Sequence, residues 1–278
     1  MGSYPPAKRS LGQNFLVDAN IQRRIVGALG FGPDACVVEI GPGRGALTRH
    51  LEGAVRRLVL VELDDFLAAQ LAERYAGRRD VDVVHADILD VSLRELTADG
   101  TDAADLFVIG NIPYNITTPI LFHLLERPRP QEIVLMVQDE VAKRIVAPPG
   151  TKEYGAPSVG VRAVAEVKRL FKVARKAFQP VPGVDSAIIR VRPTYPPPMS
   201  PEEEAALRRL VRAAFQWRRK QLGKILRDHQ DLGYAADVAA AALEGVGASL
   251  SDRPERLAPE QFVALSRALP QNRAGPNL

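Results

Sequence analysis

The chain has 278 residues, 46% of them hydrophobic and 25% charged, which is the composition of a globular protein with one large domain or a large and a small one. No stretch reaches the roughly 18 uninterrupted apolar residues of a membrane span, and the N-terminal segment MGSYPPAKRSLGQ lacks the apolar core of a signal peptide. The single cysteine, Cys36, excludes a disulfide framework, and four scattered histidines give no pattern of metal ligands. These features predict a soluble cytoplasmic protein without a metal.

Short β-rich runs alternate with helical patterns through the first two-thirds of the chain. This rhythm predicts an α/β fold with a doubly wound, mostly parallel sheet that binds its ligand at the carboxyl ends of the strands. Two late runs suit an antiparallel edge on the same sheet. In chain order, the predicted strands are ACVVEI (35–40), RLVLVEL (57–63), VDVVHA (81–86), LFVIGN (106–111), IVLMVQ (133–138), VKRLFKV (167–173) and SAIIRVR (186–192).

The first strand leads into a glycine-rich loop, EIGPGRG, at residues 39–45. Its glycines allow the main chain to approach a ligand at distances where a side chain would collide. Gly41 and Gly43, with Ala46, also satisfy the dinucleotide-binding pattern G-x-G-x-x-G/A. The loop alone therefore indicates a nucleotide-containing ligand without choosing one.

Three acidic residues narrow the choice of ligand. Glu62 ends the second strand, where a carboxylate can accept hydrogen bonds from the ribose hydroxyls of NAD or S-adenosylmethionine (AdoMet) alike. Glu39, before the glycines, suits a ligand with an ammonium group and would repel a pyrophosphate. Asp87, after the third strand, can accept from an adenine amino group. The set favours AdoMet over a dinucleotide, and a glycine-rich turn with solvated acids is the remaining alternative.

The fourth strand ends in NIPY, at residues 111–114. Asn111 offers a side-chain carbonyl, and Pro113 exposes the carbonyl of the residue before it, so two acceptors can bind both hydrogens of an exocyclic amine. Tyr114 offers a face for a base that has left its stack. The stretch predicts alkylation of a purine amino group beside the cofactor, and an Asn-Pro turn that merely closes a strand is the alternative.

A proline-rich linker, PTYPPPMSP at 193–201, precedes a change to Ala- and Leu-rich sequence without strand runs. Ser200 and Glu203 are placed to form a capping box at the start of a helix. We therefore expect a catalytic domain over residues 1–195 and a small helical domain over residues 200–278.

Charge is unevenly distributed along the chain. Residues 1–150 contain 16 Lys and Arg against 20 Asp and Glu, whereas residues 151–278 contain 21 against 13. A surface of one sign is typical of proteins that bind a polyanion, and a solvated basic face is the alternative. If one helix runs from 202 to 227, six basic residues share one of its faces and are our candidates for RNA binding. These are Arg208, Arg212, Arg219, Lys220, Lys224 and Arg227.

An ordered series of segments resembles the N6-adenine RNA methyltransferases, and specifically the KsgA-type rRNA adenine dimethyltransferases. The resemblance covers almost the full length of the chain. Its segments are LGQNFLVD (11–18), EIGPGRGALT (39–48), VELD (61–64), HADILD (85–90), NIPYNITTP (111–119), MVQDEVAKRIVAPPGTKEYGAPSV (136–159), AFQPVPGVDSAIIRV (177–191), FQWRRKQLGKIL (215–226) and RPERLAPEQFVAL (253–265).

This resemblance implies a class I, Rossmann-like AdoMet-dependent methyltransferase with a seven-stranded sheet and a small C-terminal helical RNA-binding domain. It places Phe178 against the second face of the target adenine, opposite Tyr114. The implied catalytic set is Asn111, Pro113, Tyr114 and Phe178, and the implied cofactor-binding set is Asn14, Leu16, Gly41, Glu62, Asp87 and Asn111.

The same resemblance implies the substrate: two adjacent adenosines in the 3′-terminal hairpin of small-subunit (16S) rRNA, dimethylated by a monomer on a pre-30S ribosomal particle. The Erm-type enzymes, which act on large-subunit rRNA, are the rival within the superfamily. This chain has Pro119 where Erm sequences usually carry an acid, and its QDEVAKRIVA and RRKQL segments are typical of the KsgA type. A non-catalytic RNA-binding assembly factor and an NAD-dependent reductase remain the alternatives from other classes.

Overall fold

The structure is a computed structural model that describes residues 6–8, 11–97 and 105–270. The first five residues of the N-terminal segment and the last eight of the predicted helical domain lie outside that description. None of the helices within the described ranges has both the length and the apolar character needed to cross a membrane.

All seven predicted strands are present and belong to one sheet. They are β2 (Cys36–Ile40), β3 (Arg57–Glu62), β4 (Val81–His85), β5 (Leu106–Asn111), β6 (Glu132–Gln138), β7 (Ala165–Val173) and β9 (Ser186–Pro193). The order across the sheet is β4-β3-β2-β5-β6-β9-β7. The first five of these strands pair in parallel, and β9 pairs antiparallel with β6, which confirms the doubly wound sheet with an antiparallel edge.

The central strands are buried on both faces, which is why they read as continuous apolar runs rather than as alternating ones. Every residue of β2 is buried, and Glu39 is its single charged member. In the registers of β2 with β3 and β5, Ile40 lies opposite Val61 and Gly110. The residues that come after these three strands therefore meet at one edge of the sheet.

A separate two-stranded ribbon joins the N-terminal segment to the loop between β7 and β9. It consists of β1 (Phe15–Leu16) and β8 (Phe178–Gln179), which pair antiparallel. Leu16 lies opposite Phe178 in this pairing, and both side chains belong to the main hydrophobic core.

The chain divides into two compact units. The first contains the residues up to Ala142 together with Val167–Pro193, and the second contains Lys143–Glu166 and the residues from Thr194 onward. The boundary near residue 195 that the sequence suggested therefore leaves out one segment, because residues 143–166 pack with the C-terminal helices. The helices are α1 (Ala19–Val26), α2 (Thr48–Leu51), α3 (Asp65–Arg74), α4 (Leu93–Leu96), α5 (Thr117–Leu124), α6 (Asp139–Val146), α7 (Ala156–Arg162), α8 (Pro201–Gln216), α9 (Leu222–Asp228), α10 (Ala236–Gly245) and α11 (Pro259–Ala268).

Two contacts explain why residues 143–166 belong to the second unit. Tyr154 is fully buried, packs edge-on against Phe215 and donates a hydrogen bond to the carbonyl of Leu257 at 2.7 Å. Arg218 donates to the carbonyls of residues 151 and 152, at 3.2 and 3.0 Å. Neither contact has a signal in the local sequence pattern, because each joins segments far apart in the chain.

The start of α8 is as predicted. Glu203 donates its main-chain N–H to the Ser200 hydroxyl at 3.2 Å, and the Ser200 main-chain N–H donates to the Glu203 carboxylate at 2.7 Å. This reciprocal pair satisfies two N–H groups that the helix itself cannot bond.

The prediction of one helix from 202 to 227 is wrong. Helix α8 ends at Gln216, and α9 begins at Leu222 after a turn. The main-chain N–H groups of Leu222 and Gly223 donate to the carbonyls of Asp252 and Leu250, at 2.7 and 3.0 Å, instead of continuing the α8 ladder. A Cβ at position 223 would come within 2.8 Å of the Leu250 side chain, so glycine allows this close packing.

Candidate active site

A cavity of about 340 Å³ lies in the first unit, at the carboxyl ends of β2, β3 and β5. The N-terminal segment 11–17 lines it as well. Phe178 does not line this cavity, but the structure brings eight of the other predicted site residues together around it. These are Asn14, Leu16, Gly41, Glu62, Asp87, Asn111, Pro113 and Tyr114.

The main chain of the glycine loop lines one edge of the cavity. Gly43 has a φ of 57°, in the left-handed region, and a Cβ there would come within 3.3 Å of the Phe15 ring. Any larger residue would therefore be strained in its backbone and would push against the N-terminal segment. The loop and segment 11–17 fit closely because position 43 carries no side chain.

Glu39 presents a buried carboxyl to the cavity. It is 1% exposed, and its Oε2 atom has no hydrogen-bond partner among the described residues. Burial raises the pKa of Glu39 to about 8, although hydrogen bonding with Thr48 acts to lower it. A cationic group at this position would pair with the carboxylate, as the sequence predicted for a ligand that carries an ammonium group.

Glu62 is fixed from two sides by main-chain donors. Its Oε2 atom accepts from the N–H of Gly43 at 2.9 Å, and its Oε1 atom accepts from the N–H of Asp64 at 2.9 Å. Burial raises its pKa, and these two hydrogen bonds oppose the shift. The carboxylate is thus held at the tip of β3, facing the cavity, where it can accept from ligand hydroxyls.

Asp87 lies after β4 and lines the same cavity. Its Oδ1 atom accepts from the N–H of Leu89 at 2.9 Å, which caps the short 3₁₀ turn Ile88–Asp90. Asn, Ser and Asp side chains often close turns in this way. The cap fixes the direction of the carboxylate and leaves its other oxygen for a ligand amine.

Asn111 is oriented by a partner that the sequence did not predict. Its Nδ2 atom donates to the main-chain carbonyl of Asn14 at 3.0 Å. With the nitrogen end of the amide held in this way, Oδ1 is the end that can accept a hydrogen bond from a ligand. The amide is therefore set as an acceptor at the tip of β5 by a residue 97 positions away.

Tyr114 lines the cavity, and its hydroxyl shares a hydrogen bond of 2.5 Å with the Oγ atom of Ser186, the first residue of β9. Burial raises the pKa of Tyr114, which keeps the phenol neutral. The bond fixes the tilt of the ring relative to the cavity. Ser186 lies within the matched segment AFQPVPGVDSAIIRV, but its role could not be read from that pattern.

Phe178 is not placed as the resemblance implied. Its side chain is 2% exposed, belongs to the hydrophobic core and does not line the cavity. The reason is the pairing of β8 with β1, which sets Phe178 beside Leu16 and turns its ring into the core. The aromatic side chains that line this cavity among the described residues are Phe15 and Tyr114.

The six predicted RNA-binding residues are all exposed in the second unit, but they do not lie on one helix face. Arg219 and Lys220 lie in the turn between α8 and α9, beside Trp217, where a cleft of about 330 Å³ opens. Lys224 and Arg227 both bond the carboxylate of Asp228, at 2.7 and 2.6 Å. Arg208 lies 3.8 Å from Glu204.

Among the described residues, no three or more His, Cys, Asp or Glu side chains are grouped in a way that could hold a metal ion. The cavity matches a known use of this fold: a glycine loop follows the first strand of a doubly wound sheet, acids lie at the carboxyl ends of the first three strands, and NIPY begins at the end of the fourth. Fold and site define the class of Rossmann-like methyltransferases.

Comparison with known proteins then identifies the family. The chain belongs to the ribosomal RNA adenine dimethylase family, whose model matches residues 6–242. It is 44% identical over 268 residues to the ribosomal RNA small subunit methyltransferase A of Moorella thermoacetica, and the match covers 94% of this chain and 92% of that protein. The corresponding protein of Chlorobium luteolum is 47% identical over 222 residues, covering 80% of this chain and 78% of that protein.

Two solved structures resemble the chain as a whole. The 23S rRNA methyltransferase ErmE is 30% identical, with a TM-score of 0.69, and the match covers 92% of this chain and 99% of that one. A dimethyladenosine transferase from Plasmodium falciparum has a TM-score of 0.76 at 23% identity, covering 90% and 95% of the two chains, and supports the fold.

Proposed function

We propose that this enzyme uses AdoMet to dimethylate N6 of two adjacent adenosines in the 3′-terminal hairpin of small-subunit rRNA, on an assembling pre-30S particle. Family membership and the names of the similar small-subunit methyltransferases support the substrate. The monomeric state and the cytoplasmic location are part of the same proposal.

The observation that carries the proposal is the orientation of Asn111. An amide whose nitrogen is held by the Asn14 carbonyl presents its oxygen as an acceptor at the cavity that Glu39 and Glu62 also line. An exocyclic amine is the group on adenine that donates to such an oxygen.

The residues of the cavity fit AdoMet. The unpartnered buried oxygen of Glu39 would pair with its ammonium, Glu62 would accept from the ribose, and Asp87 would accept from the adenine amine. Asn14 and Leu16 would lie along the ligand from the N-terminal side. AdoMet, when bound, supplies a methyl group on an electrophilic sulfonium.

Catalysis by this chain consists mainly of positioning. Asn111 and the carbonyl of Ile112 would accept hydrogen bonds from the two hydrogens of adenine N6. These bonds would favour a more tetrahedral nitrogen, whose lone pair points toward the methyl carbon. Tyr114 would hold the base by its ring face. N6 would become cationic on accepting the methyl group, with S-adenosylhomocysteine as the leaving product, and would then pass one proton to water or a neighbouring carbonyl. The described residues that line the cavity include no histidine, so the acceptor that we propose for this proton is water or a carbonyl.

RNA binding would rest on the exposed basic residues of the second unit. Arg219 and Lys220 flank the Trp217 cleft, which combines positive charge with an aromatic edge and so suits a nucleotide strand. Lys224 also lines this cleft, but Lys224 and Arg227 already share Asp228, whose pKa is lowered to about 2 by the hydrogen bonds from Arg227 and Lys224. We therefore rank Arg219 and Lys220 ahead of the other four predicted contacts.

The test is methyl transfer from labelled AdoMet to ribosomal particles from a strain that lacks this enzyme, with mapping of the modified nucleotides. Two adjacent N6,N6-dimethyladenosines in the 3′-terminal hairpin of small-subunit rRNA are the expected product. Label in large-subunit rRNA would instead establish the Erm-type alternative, which the 30% identity to ErmE favours as the second candidate. Binding without transfer would establish a non-catalytic assembly factor, and calorimetry with NAD in place of AdoMet tests the reductase.

A further inference from the structure

Asp64, which follows Leu63 just after β3, is bonded to three parts of the first unit: Glu62, the N-terminus of α3 and the N-terminal segment. It is 2% exposed, although its position at the N-terminus of α3 is where most aspartates reach solvent. Its Oδ1 atom accepts from the N–H groups of Phe66 and Leu67, at 3.0 and 3.2 Å, and so caps α3. Its own N–H donates to the Glu62 carboxylate and holds it at the cavity.

The second oxygen of Asp64 is turned away from the helix and holds the N-terminal segment. Oδ2 accepts from Gln13 Nε2 at 2.8 Å and lies 2.9 Å from Lys8 Nζ. Lys8 and Gln13 are also bonded to each other, since the Lys8 N–H donates to Gln13 Oε1 at 2.8 Å. Burial opposes ionisation of Asp64, but the hydrogen bonds from Lys8 and Gln13 outweigh it and lower the pKa of the carboxyl.

This attachment matters because Gln13 is the immediate neighbour of Asn14 in the chain. Asn14 carries the carbonyl that holds the amide of Asn111. The β1 ribbon at Phe15 and Leu16 fixes the far side of the same segment. A change at Asp64 therefore reaches the tip of β5 through two hydrogen bonds, one to Gln13 and one from Asn111 to the Asn14 carbonyl.

We propose that Asp64 is a positioning residue for methyl transfer: it fastens segment 11–17 along the cofactor cavity and, through the Asn14 carbonyl, sets the Asn111 amide as an acceptor. The proposal rests on the proposed function for its catalytic part. Its structural part, the fastening of the segment, is independent of which RNA is methylated.

Asp64→Asn separates the two roles of the side chain. Asparagine caps helices as well as aspartate does, so α3 keeps its acceptor, whereas the charge that holds Lys8 is lost. Asp18→Asn is the matched control, because Asp18 caps α1 with one oxygen, at 2.9 and 3.2 Å from the N–H groups of Asn20 and Ile21. In the control, the bonds of Gln13 to Asp64 and of Asn111 to Asn14 keep both partners.

The first readout is hydrogen exchange of residues 11–17 in the ligand-free protein, together with the Kd of S-adenosylhomocysteine by calorimetry. We expect Asp64→Asn and the double variant Lys8→Ala/Gln13→Ala to speed exchange and to raise Kd about tenfold, the loss typical of hydrogen bonds to a charged group. Asp18→Asn should match the wild type. Wild-type exchange in Asp64→Asn would overturn the proposal.

The second readout is non-additivity. Adding Lys8→Ala/Gln13→Ala to Asp64→Asn should change Kd no further, because both sets of changes break the same attachment. Additive losses would mean that Asp64 and the Lys8–Gln13 pair affect the cavity independently, and would also overturn the proposal. If the wild type fails to methylate rRNA, the proposed function fails, while exchange and S-adenosylhomocysteine binding still decide the role of Asp64. If it does methylate, kcat at saturating AdoMet should fall in Asp64→Asn, since Asn111 loses its fixed partner.

Discussion

The two units of this chain use charge in opposite ways. In the first unit, Glu39, Glu62 and Asp64 are buried, and the last two each accept a hydrogen bond from another segment: Glu62 from the Gly43 N–H and Asp64 from the Gln13 side chain. In the second unit, Lys224 and Arg227 are exposed and pair with Asp228, which lies four positions and one position away in the chain. Buried charge fixes geometry because its partners cannot be exchanged for water, whereas exposed charge attracts a polyanion and is screened by salt.

This difference predicts how variants should behave. Changes at the cavity should have large effects that depend little on ionic strength. Substitutions in the basic turn should each have a small effect on RNA affinity, and these effects should be additive. They should be visible mainly in the salt dependence of that affinity. The expected effects decrease from the catalytic amide, through the cofactor carboxylate and the aromatic ring, to the basic turn.

Asn111→Ala should lower kcat by about 10²–10³-fold, as does the loss of one preorganised hydrogen-bonding group in other active sites. AdoMet affinity should change far less, since the acceptor acts on the target amine. Single-turnover methylation measures the first quantity and calorimetry the second. Wild-type turnover in this variant would remove Asn111 from the catalytic set.

Glu39→Gln should weaken AdoMet binding by about 10–100-fold, because a hydrogen-bonded charge is lost in a buried position. In the wild type, binding an ammonium requires the carboxylate, and the pKa of about 8 means that this carboxyl must first release its proton at neutral pH. The affinity for AdoMet should therefore increase by up to about tenfold per pH unit between about pH 6 and about pH 7.5. In this range the amino group of the ligand is still protonated. The Gln variant should show no such rise.

The raised pKa of Glu39 also determines how the free energy of unfolding should change with pH. The folded, ligand-free protein favours the protonated carboxyl, so its contribution to the free energy of unfolding is largest below the ordinary pKa of 4.5 and falls as pH rises toward about 8. Thermal melts of wild type and Glu39→Gln over this range check it. Parallel curves for the two proteins would contradict the burial of an ionisable group at this site.

Tyr114→Ala should reduce kcat/KM by about tenfold or more, since stacking on a base contributes about 1–3 kcal/mol. Tyr114→Phe keeps the ring and loses only the bond to Ser186, so most activity should remain, and Ser186→Ala should behave in the same way. Equal losses in the Ala and Phe variants would show that the hydroxyl, not the ring face, is what the site uses.

Arg219→Gln/Lys220→Gln should weaken RNA binding and reduce the slope of log affinity against log salt by about 2, one for each phosphate contact. The matched control is Lys224→Gln/Asp228→Asn, which removes the Lys224–Asp228 ion pair of 2.7 Å, and with it the carboxylate that Arg227 binds, without changing the net charge. That control should leave the slope nearly unchanged. Equal slopes for the two double variants would contradict the ranking of the basic residues.

The sequence by itself determined the sheet. Its seven strands, their parallel and antiparallel parts, the glycine loop and the residues after each strand could all be read locally. Strands buried on both faces appear as apolar runs, and the carboxyl ends of such strands must meet. The family segments then identified residues of the cavity, because four of them, EIGPGRGALT, VELD, HADILD and NIPYNITTP, lie at the carboxyl ends of strands.

Tertiary structure alone decided what each of these residues faces. The Asn14 carbonyl on Asn111, the Asp64 carboxylate on Gln13 and the Ser186 hydroxyl on Tyr114 each join positions at least 51 residues apart. The same holds for the burial of Phe178 and for the break between α8 and α9, where the carbonyls of Leu250 and Asp252 capture two N–H groups. Propensity and periodicity describe a residue's neighbours along the chain, whereas a hydrogen bond across the fold depends on where another segment has been packed.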